Sequence, residues 1–306
     1  MSDVLVFGAG GFIGKHLVRT LADQGHHVIA ASRHDPGFDM ANVESVISQL
    51  SEPEHFLPLI ERSDVVVHAA STSTPGSSAG RALREVEENL RPLVSLLQAM
   101  EQSPKMLLYL SSGGTLYAPT GNGVSTEVSH VQPRSYHGAG KVAAEHFIAA
   151  WCAQYAGTAA VLRPSNIYGP GQSERPGFGV VPAALGKIRR GEALHVWGDG
   201  SATRDYLFIE DFIRLCVTII STHTPAGFHV INVSSGIGVS LNRLFAVMEE
   251  VTGMHLRRTF DPCRAVDAPY VVLDSSLAES SYGWRPDVDL HEGLRRTWEW
   301  FNTIRH

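Results

Sequence analysis

The stretch that decides the fold is "VLVFGAGGFIG", residues 4–14. Four apolar residues run into a loop carrying Gly8, Gly11 and Gly14, and residues 12–24 then repeat apolar side chains at three- and four-residue steps. This reads as a strand, a tight turn and a helix. Gly8 allows the turn, Gly11 lets a pyrophosphate approach the helix N-terminus at Phe12 and Ile13, and Gly14 lets the helix lie close on the strand. A bare glycine pattern is weak, but glycines placed directly after a strand and opening a helix point to a dinucleotide.

Working outward, "HVIAAS" (27–32), "DVVVHAA" (64–70), "KMLLYLSS" (105–112), "TAAVLRPSN" (158–166) and "FHVINVSS" (228–235) are short, β-rich runs. They alternate with amphipathic segments such as 85–101 and 141–155. The rhythm predicts an α/β fold, a doubly wound and mostly parallel Rossmann sheet covered by helices. After about residue 167 the texture changes to Gly/Pro-rich loops such as "GPGQSERPGFG", and a second, smaller substrate lobe is expected. The reading divides the chain into a dinucleotide-binding domain over 1–167, with 205–235 returning to it, and a lobe from 168–204 and 236–306.

With 306 residues, 43% hydrophobic and 18% charged, the chain has the composition of a globular protein able to bury a sizeable core. The net charge of −6 and the scattered Lys and Arg exclude a face built for nucleic acid or an anionic membrane. No apolar run approaches the roughly 18 residues that span a bilayer, and the first residues carry no basic and apolar leader, so a cytoplasmic location is expected. Cys152, Cys216 and Cys263 have no CxxC or Cys/His spacing. They read as reduced thiols, with no zinc and no other metal. The second strand ends "AASRH". An acid there would accept from the 2′-hydroxyl of NAD and a cation would hold the 2′-phosphate of NADP, so Ser32 and Arg33 favour NADP while leaving NAD open.

The G-x-x-G-x-x-G spacing resembles the short-chain dehydrogenase/reductase superfamily, and "GFIG" resembles its extended branch. In that branch NAD users carry Asp where Ser32 stands here. Asp39 and Met40 resemble the pair that contacts adenine, and "VVHAAS" resembles the strand behind the cofactor, with Ala69 and Ala70 small enough to let it lie close. "ENLRPLVSLLQAM" resembles the helix whose Asn, here Asn89, holds the chain near the active site. "LRPSNIYGPGQ" places Pro164 near the nicotinamide and Asn166 toward the sugar nucleotide. "GDGSATRDY" resembles the signature that sets Arg204 on the substrate diphosphate, and Arg264 in "CRAVDAP" resembles the second diphosphate ligand. With the "GW-P" and "L-EG-L" pattern of the tail, the chain is identified as a member of the NAD-dependent epimerase/dehydratase group of nucleotide-sugar enzymes. The resemblance implies a UDP-linked sugar as substrate and a homodimer formed through the helices at 85–101 and 136–155.

It also implies hydride transfer at a sugar carbon, with a tyrosine exchanging the hydroxyl proton and a lysine four residues later lowering its pKa. Here "SYHGAGKVAAE" (135–145) offers His137 four residues before Lys141 and Tyr136 five before. On a helix, a residue four back lies about 40° from the lysine's direction and one five back about 140°. The spacing therefore assigns the tyrosine position to His137 and leaves Tyr136 as the alternative. Imidazole suits proton exchange near neutrality, and a nearby Lys141 ammonium favours its neutral form. In "SSGGTLYA" (111–118) Gly113 stands where the sugar 4-epimerases of the family carry an aligning hydroxyl. Thr115, two residues on and expected on the same strand face, is the substitute and Ser112 the second choice, with Tyr117 structural.

Three functions remain at this point. One is a UDP-hexose 4-epimerase working through a transient 4-keto sugar. A second, which fits Arg33 better, is an NADPH-dependent reductase of a nucleotide-linked 4-ketosugar. The third is a nucleotide-sugar-binding protein that has lost turnover. A dehydratase fits poorly, because the 111–118 segment lacks the Asp-Glu pair that expels water.

Overall fold

The structure is a computed structural model of the chain and describes residues 1–121, 123–175, 177–222, 224–263 and 268–303. Along the chain the strands are β1 (Asp3–Phe7), β2 (His27–Ser32), β3 (Val43–Ile47), β4 (Val65–His68), β5 (Met106–Leu110), β6 (Thr158–Pro164), β7 (Asn166–Tyr168), β8 (Leu194–Trp197), β9 (Thr203–Phe208), β10 (Gly227–Val233), β11 (Gly238–Ser240), β12 (Arg258–Asp261) and β13 (Tyr270–Val271). Seven of them form one sheet in the order β10-β6-β5-β4-β1-β2-β3, and every pairing in it is parallel. This is the doubly wound Rossmann sheet that the alternation of apolar runs demands.

Strand periodicity sorts the core into two layers. Val4, Val6, Val28, Ala30, Val67 and Leu108 face the helices α1 (Phe12–Asp23) and α8 (Ile209–Ser221). Their neighbours Leu5, Phe7, Ile29, Val66, Leu107 and Tyr109 face the opposite layer of helices. That layer contains α2 (Pro53–Ile60), α3 (Ala82–Glu85), a π-helical turn at Val86–Leu90 that continues as α4 (Arg91–Ala99), and α6 (Tyr136–Tyr155). Between β5 and α6 lies the short helix α5 (Gly113–Leu116). The direction of winding reverses between β1 and β4, which opens a crevice at the carboxyl ends of those strands.

β3 was not anticipated. Its sequence "VESVI" carries a glutamate at its second position and is half exposed, as an edge strand with one neighbour should be. Within 205–235, β10 joins the central sheet and α8 packs on its face, whereas β9 is the middle of a smaller sheet in which it pairs with β7, β11 and β13. β8 and β12 form a separate parallel pair. α7 (Val180–Arg190), α9 (Leu241–Thr252), α10 (Ser276–Tyr282) and α11 (Leu290–Thr303) complete the chain.

Candidate functional site

At the glycine loop, backbone meets backbone. Gly8 has φ +96°, and a Cβ on it would lie 2.5 Å from the Ala70 nitrogen, while one on Gly14 would lie 2.2 Å from the Gly8 oxygen. No side chain fits at either position. The N–H groups of Gly8 and Ala9 both donate to the Ala31 carbonyl, at 3.0 and 3.1 Å, which ties the loop to the end of β2. Gly11 is the N-cap of α1, with no side-chain cap and no acidic residue in the first turn, so the amides at Phe12 and Ile13 face no competing anion of their own helix. Ala69, whose N–H donates to the Phe7 carbonyl at 2.8 Å, and Ala70 line the neighbouring strand end. A helix N-terminus without its own acid, beside a cradle kept clear of side chains, fits a dinucleotide pyrophosphate.

Ser32 is buried at the end of β2, its hydroxyl donating to the His34 carbonyl at 2.5 Å, and Arg33 is exposed beside it. Asp39 and Met40 call for a correction. They precede β3 at its amino end, where the Val43 N–H donates to the Met40 carbonyl, and a ligand at the carboxyl ends of the strands lies across the sheet from them. The position after β3 belongs to Ser48, whose N–H donates to the Ser32 carbonyl at 3.0 Å.

At the head of α6, Ser135 is the N-cap and its hydroxyl accepts from the Gly138 N–H at 3.1 Å. This cap fixes the helical register from Tyr136 onward. His137 and Lys141 then share a buried face, each 7% exposed, while Tyr136 is 47% exposed. Lys141 Nζ donates to the Leu110 carbonyl at 2.6 Å and to the Tyr109 hydroxyl at 3.3 Å, both at the end of β5. Burial pulls its pKa down to about 8, against the attraction of Glu85 and Glu145. Burial, and then the Lys141 charge, pull His137 down to about 3. Its imidazole is therefore neutral at physiological pH.

His137 Nδ1 lies 2.9 Å from the Ser73 hydroxyl, which in turn accepts from Asn89 Nδ2 at 3.2 Å. Asn89 Oδ1 accepts from the Thr72 N–H at 2.8 Å. Asn89 thus holds the loop after β4 against α6. Ser73 was missed by sequence reasoning, although the hydroxyl-rich run "STSTPGSS" directly after a strand end was a visible signal.

Thr115 does not continue the β5 strand face. It sits in α5, with Oγ1 donating to the Ser112 hydroxyl at 3.0 Å. The chain turns there because Gly113 is packed against its surroundings: a Cβ on it would lie 2.3 Å from Leu273 and 2.8 Å from the Arg163 carbonyl. No hydroxyl-bearing side chain has room at that position. Beneath it Arg163 binds Glu145 at 2.5 and 3.0 Å and the Tyr117 hydroxyl at 2.9 Å, and Tyr117 donates to Asn232 at 2.6 Å. Tyr117 is part of the framework.

His137 opens onto a cleft of about 230 Å³ whose lining includes Ser73, Asn166, Gln172, Val180 and Tyr206. Tyr206 OH and Gln172 Oε1 are buried there with no hydrogen-bond partner among the described residues. Asn166 Nδ2 donates to the Asp205 carbonyl at 2.9 Å, joining the cleft wall to β9. Pro164 ends β6, with its carbonyl against Gly113. Arg204 lies on β9 between β11 and β13, with Nη1 donating to the Thr203 carbonyl at 2.8 Å. Arg264 lies outside the described residues.

Residues 4–234 match the model of the NAD dependent epimerase/dehydratase family. The chain belongs to that family. The structure superposes on a UDP-glucose 4-epimerase solved with UDP-glucose from Thermotoga maritima with a TM-score of 0.91 at 28% identity, covering 98% of each chain. It is also similar to the Thermus thermophilus UDP-glucose 4-epimerase solved with NAD, with a TM-score of 0.90 at 26% identity over 99% of this chain and 100% of that one. A dTDP-4-dehydro-6-deoxy-D-allose reductase of Streptomyces bikiniensis is 30% identical, covering 97% of this chain and 95% of its own. Enzymes of this family are NAD-dependent epimerases and reductases, and several of the solved neighbours, the Thermus thermophilus enzyme among them, carry NAD. No helix among the described residues is long and apolar enough to cross a membrane.

Proposed function

We propose that this protein is a UDP-hexose 4-epimerase that inverts a sugar carbon through a transient 4-keto sugar. The observation that carries the reading is a buried imidazole sharing one face of α6 with Lys141 and opening onto the cleft. Gly8, Gly11, Gly14, Phe12, Ile13, Ala69 and Ala70 would hold the dinucleotide, which when bound takes up and returns the hydride. Lys141, anchored on the Leu110 carbonyl, places a positive charge beside His137 and toward the ribose. His137 meets the C4 oxygen, with Thr115 and Ser112 as the second pair of hydroxyls at that end of β5. Tyr206 and Gln172 line the cleft that would take the substrate. Arg204 and Arg264 would hold the nucleotide diphosphate, and Asn166 would face the sugar nucleotide. The substrate lobe of this reading comprises 168–204 and 236–306.

Two more features belong to the reading. Leu83, Val86, Tyr136 and Phe147 are large hydrophobic groups exposed on α3, the π turn and α6, and they support a homodimer through these helices. A cytoplasmic location agrees with three free cysteines, two of them buried.

A second reading, an NADPH-dependent reductase of a nucleotide-linked 4-ketosugar, is favoured by one observation. Ser32 and exposed Arg33 stand where an acid would meet the 2′-hydroxyl of NAD. The deciding experiment identifies the dinucleotide that co-purifies, then follows UDP-glucose, UDP-galactose and their N-acetyl forms by NMR. C4-inverted product establishes the epimerase. Four unchanged sugars, with NADPH-dependent reduction of a 4-ketosugar, overturn it in favour of the reductase, and inertness toward all of them leaves a binding protein.

A further inference from the structure

The hydrogen bonds behind His137 have a direction that can be followed atom by atom. The Thr72 backbone N–H can only donate, so the Asn89 atom 2.8 Å away is its oxygen. The other end of the amide, facing the Ser73 hydroxyl at 3.2 Å, is then NH₂ and can only donate. Ser73 Oγ therefore accepts from Asn89 and has its own proton to give. The acceptor within reach is His137 Nδ1 at 2.9 Å. A neutral imidazole that accepts at Nδ1 carries its proton on Nε2.

We propose that Ser73 and Asn89 are positioning residues that fix His137 as the neutral Nε2–H tautomer, so that the resting site presents a hydrogen-bond donor matched to the 4-keto form of the sugar. The consequence for substrate rests on the reading that His137 meets the C4 oxygen. A ketone oxygen only accepts, and Nε2–H matches it. A hydroxyl that must lose its proton finds no acceptor at Nε2 until the Ser73 hydroxyl turns away and Nδ1 takes over the proton. That reversal breaks the Ser73–His137 hydrogen bond, and the Ser73 proton must then turn to another acceptor.

The test is a long-range ¹H–¹⁵N spectrum at neutral pH of the protein labelled at histidine, purified with whatever dinucleotide it carries. His137 is assigned by the signal lost in His137→Gln. The expected result is a protonated Nε2 and an unprotonated Nδ1. A protonated Nδ1 in the unsubstituted protein overturns the proposal whether or not the protein turns over any sugar, so failure of the proposal and failure of the epimerase reading are distinguishable. Ser73→Ala should give a mixture of tautomers, and Ser73→Thr, which keeps the hydroxyl, should restore the single form. In kinetics, Ser73→Ala should lower kcat for 4-ketosugar reduction about tenfold with KM little changed, and Ser73→Thr should recover it. An unchanged His137 spectrum in Ser73→Ala would also overturn the proposal, since the serine would then not set the tautomer.

Discussion

The glycine loop and the head of α6 both lie at the carboxyl ends of the central strands, yet one is made of backbone and the other of side chains. At Gly8 and Gly14 the site exists because no Cβ is present, and its contacts are amides and carbonyls. At His137 and Lys141 the site exists because two titratable side chains are buried together, and burial sets their charge. A backbone site tolerates any neighbour that leaves space. A side-chain site depends on residues brought from the loop after β4, the end of β5 and the π turn before α4.

The strongest way to break this contrast is Gly8→Ala. With φ at +96° and a Cβ 2.5 Å from the Ala70 nitrogen, the substitution should cost about 3 kcal/mol or more and abolish dinucleotide binding. Calorimetry and cofactor titration would show it. A variant with unchanged Tm and affinity would mean that the loop is not in backbone contact with the β4 end.

Lys141→Met should do the opposite, losing turnover by about a hundredfold or more while the fold holds or gains stability. The apolar replacement relieves the desolvation that pulls the ammonium down to about 8. A parallel loss of Tm and activity would make Lys141 structural. In the unsubstituted protein, activity that depends on the ammonium should decline as pH rises through about 8.

Acid should find the buried imidazoles. His68 and His137 are both held at about 3 in the folded chain, chiefly by burial, against 6.5 ordinarily. Between those values the unfolded chain binds the extra protons, so their stabilising contribution is complete above 6.5 and lost as pH falls toward 3. Near pH 5 the two together should make stability rise with pH by roughly 3 kcal/mol per pH unit, measured by urea unfolding. His68 is enclosed by Phe7 and Tyr109 and its ring nitrogens have no partner among the described residues. His68→Phe should halve the slope, and an unchanged slope would assign the acid sensitivity elsewhere.

The smallest effect is expected at Tyr136. Being exposed, Tyr136→Phe should change turnover by less than about twofold, while His137→Phe should lower it at least about tenfold. The reverse order would show that the tyrosine carries the proton.

The glycine loop, the parallel sheet and the pairing of His137 with Lys141 were legible because they rest on local periods: two residues per strand repeat, 3.6 per helical turn, and glycines at a strand end. β3 was not, since an edge strand exposes half of its residues and "VESVI" lacks a clear apolar face. Its omission moved Asp39 and Met40 to the wrong end of the sheet. Thr115 was misplaced for a different reason. The short helix α5 begins at Gly113, where Leu273 and the Arg163 carbonyl, from distant parts of the chain, leave no room for a side chain.

By itself the sequence determined the layers, the cofactor turn and the four-residue step that puts an imidazole rather than a phenol beside the lysine, because each depends on neighbours within one turn or one strand. Tertiary structure alone decided what those groups are chemically. Ser73 reaches His137 across 64 positions, and Lys141 reaches the Leu110 carbonyl across 31. Charge and hydrogen-bond direction depend on how much water the surrounding elements exclude and which atoms they supply in its place.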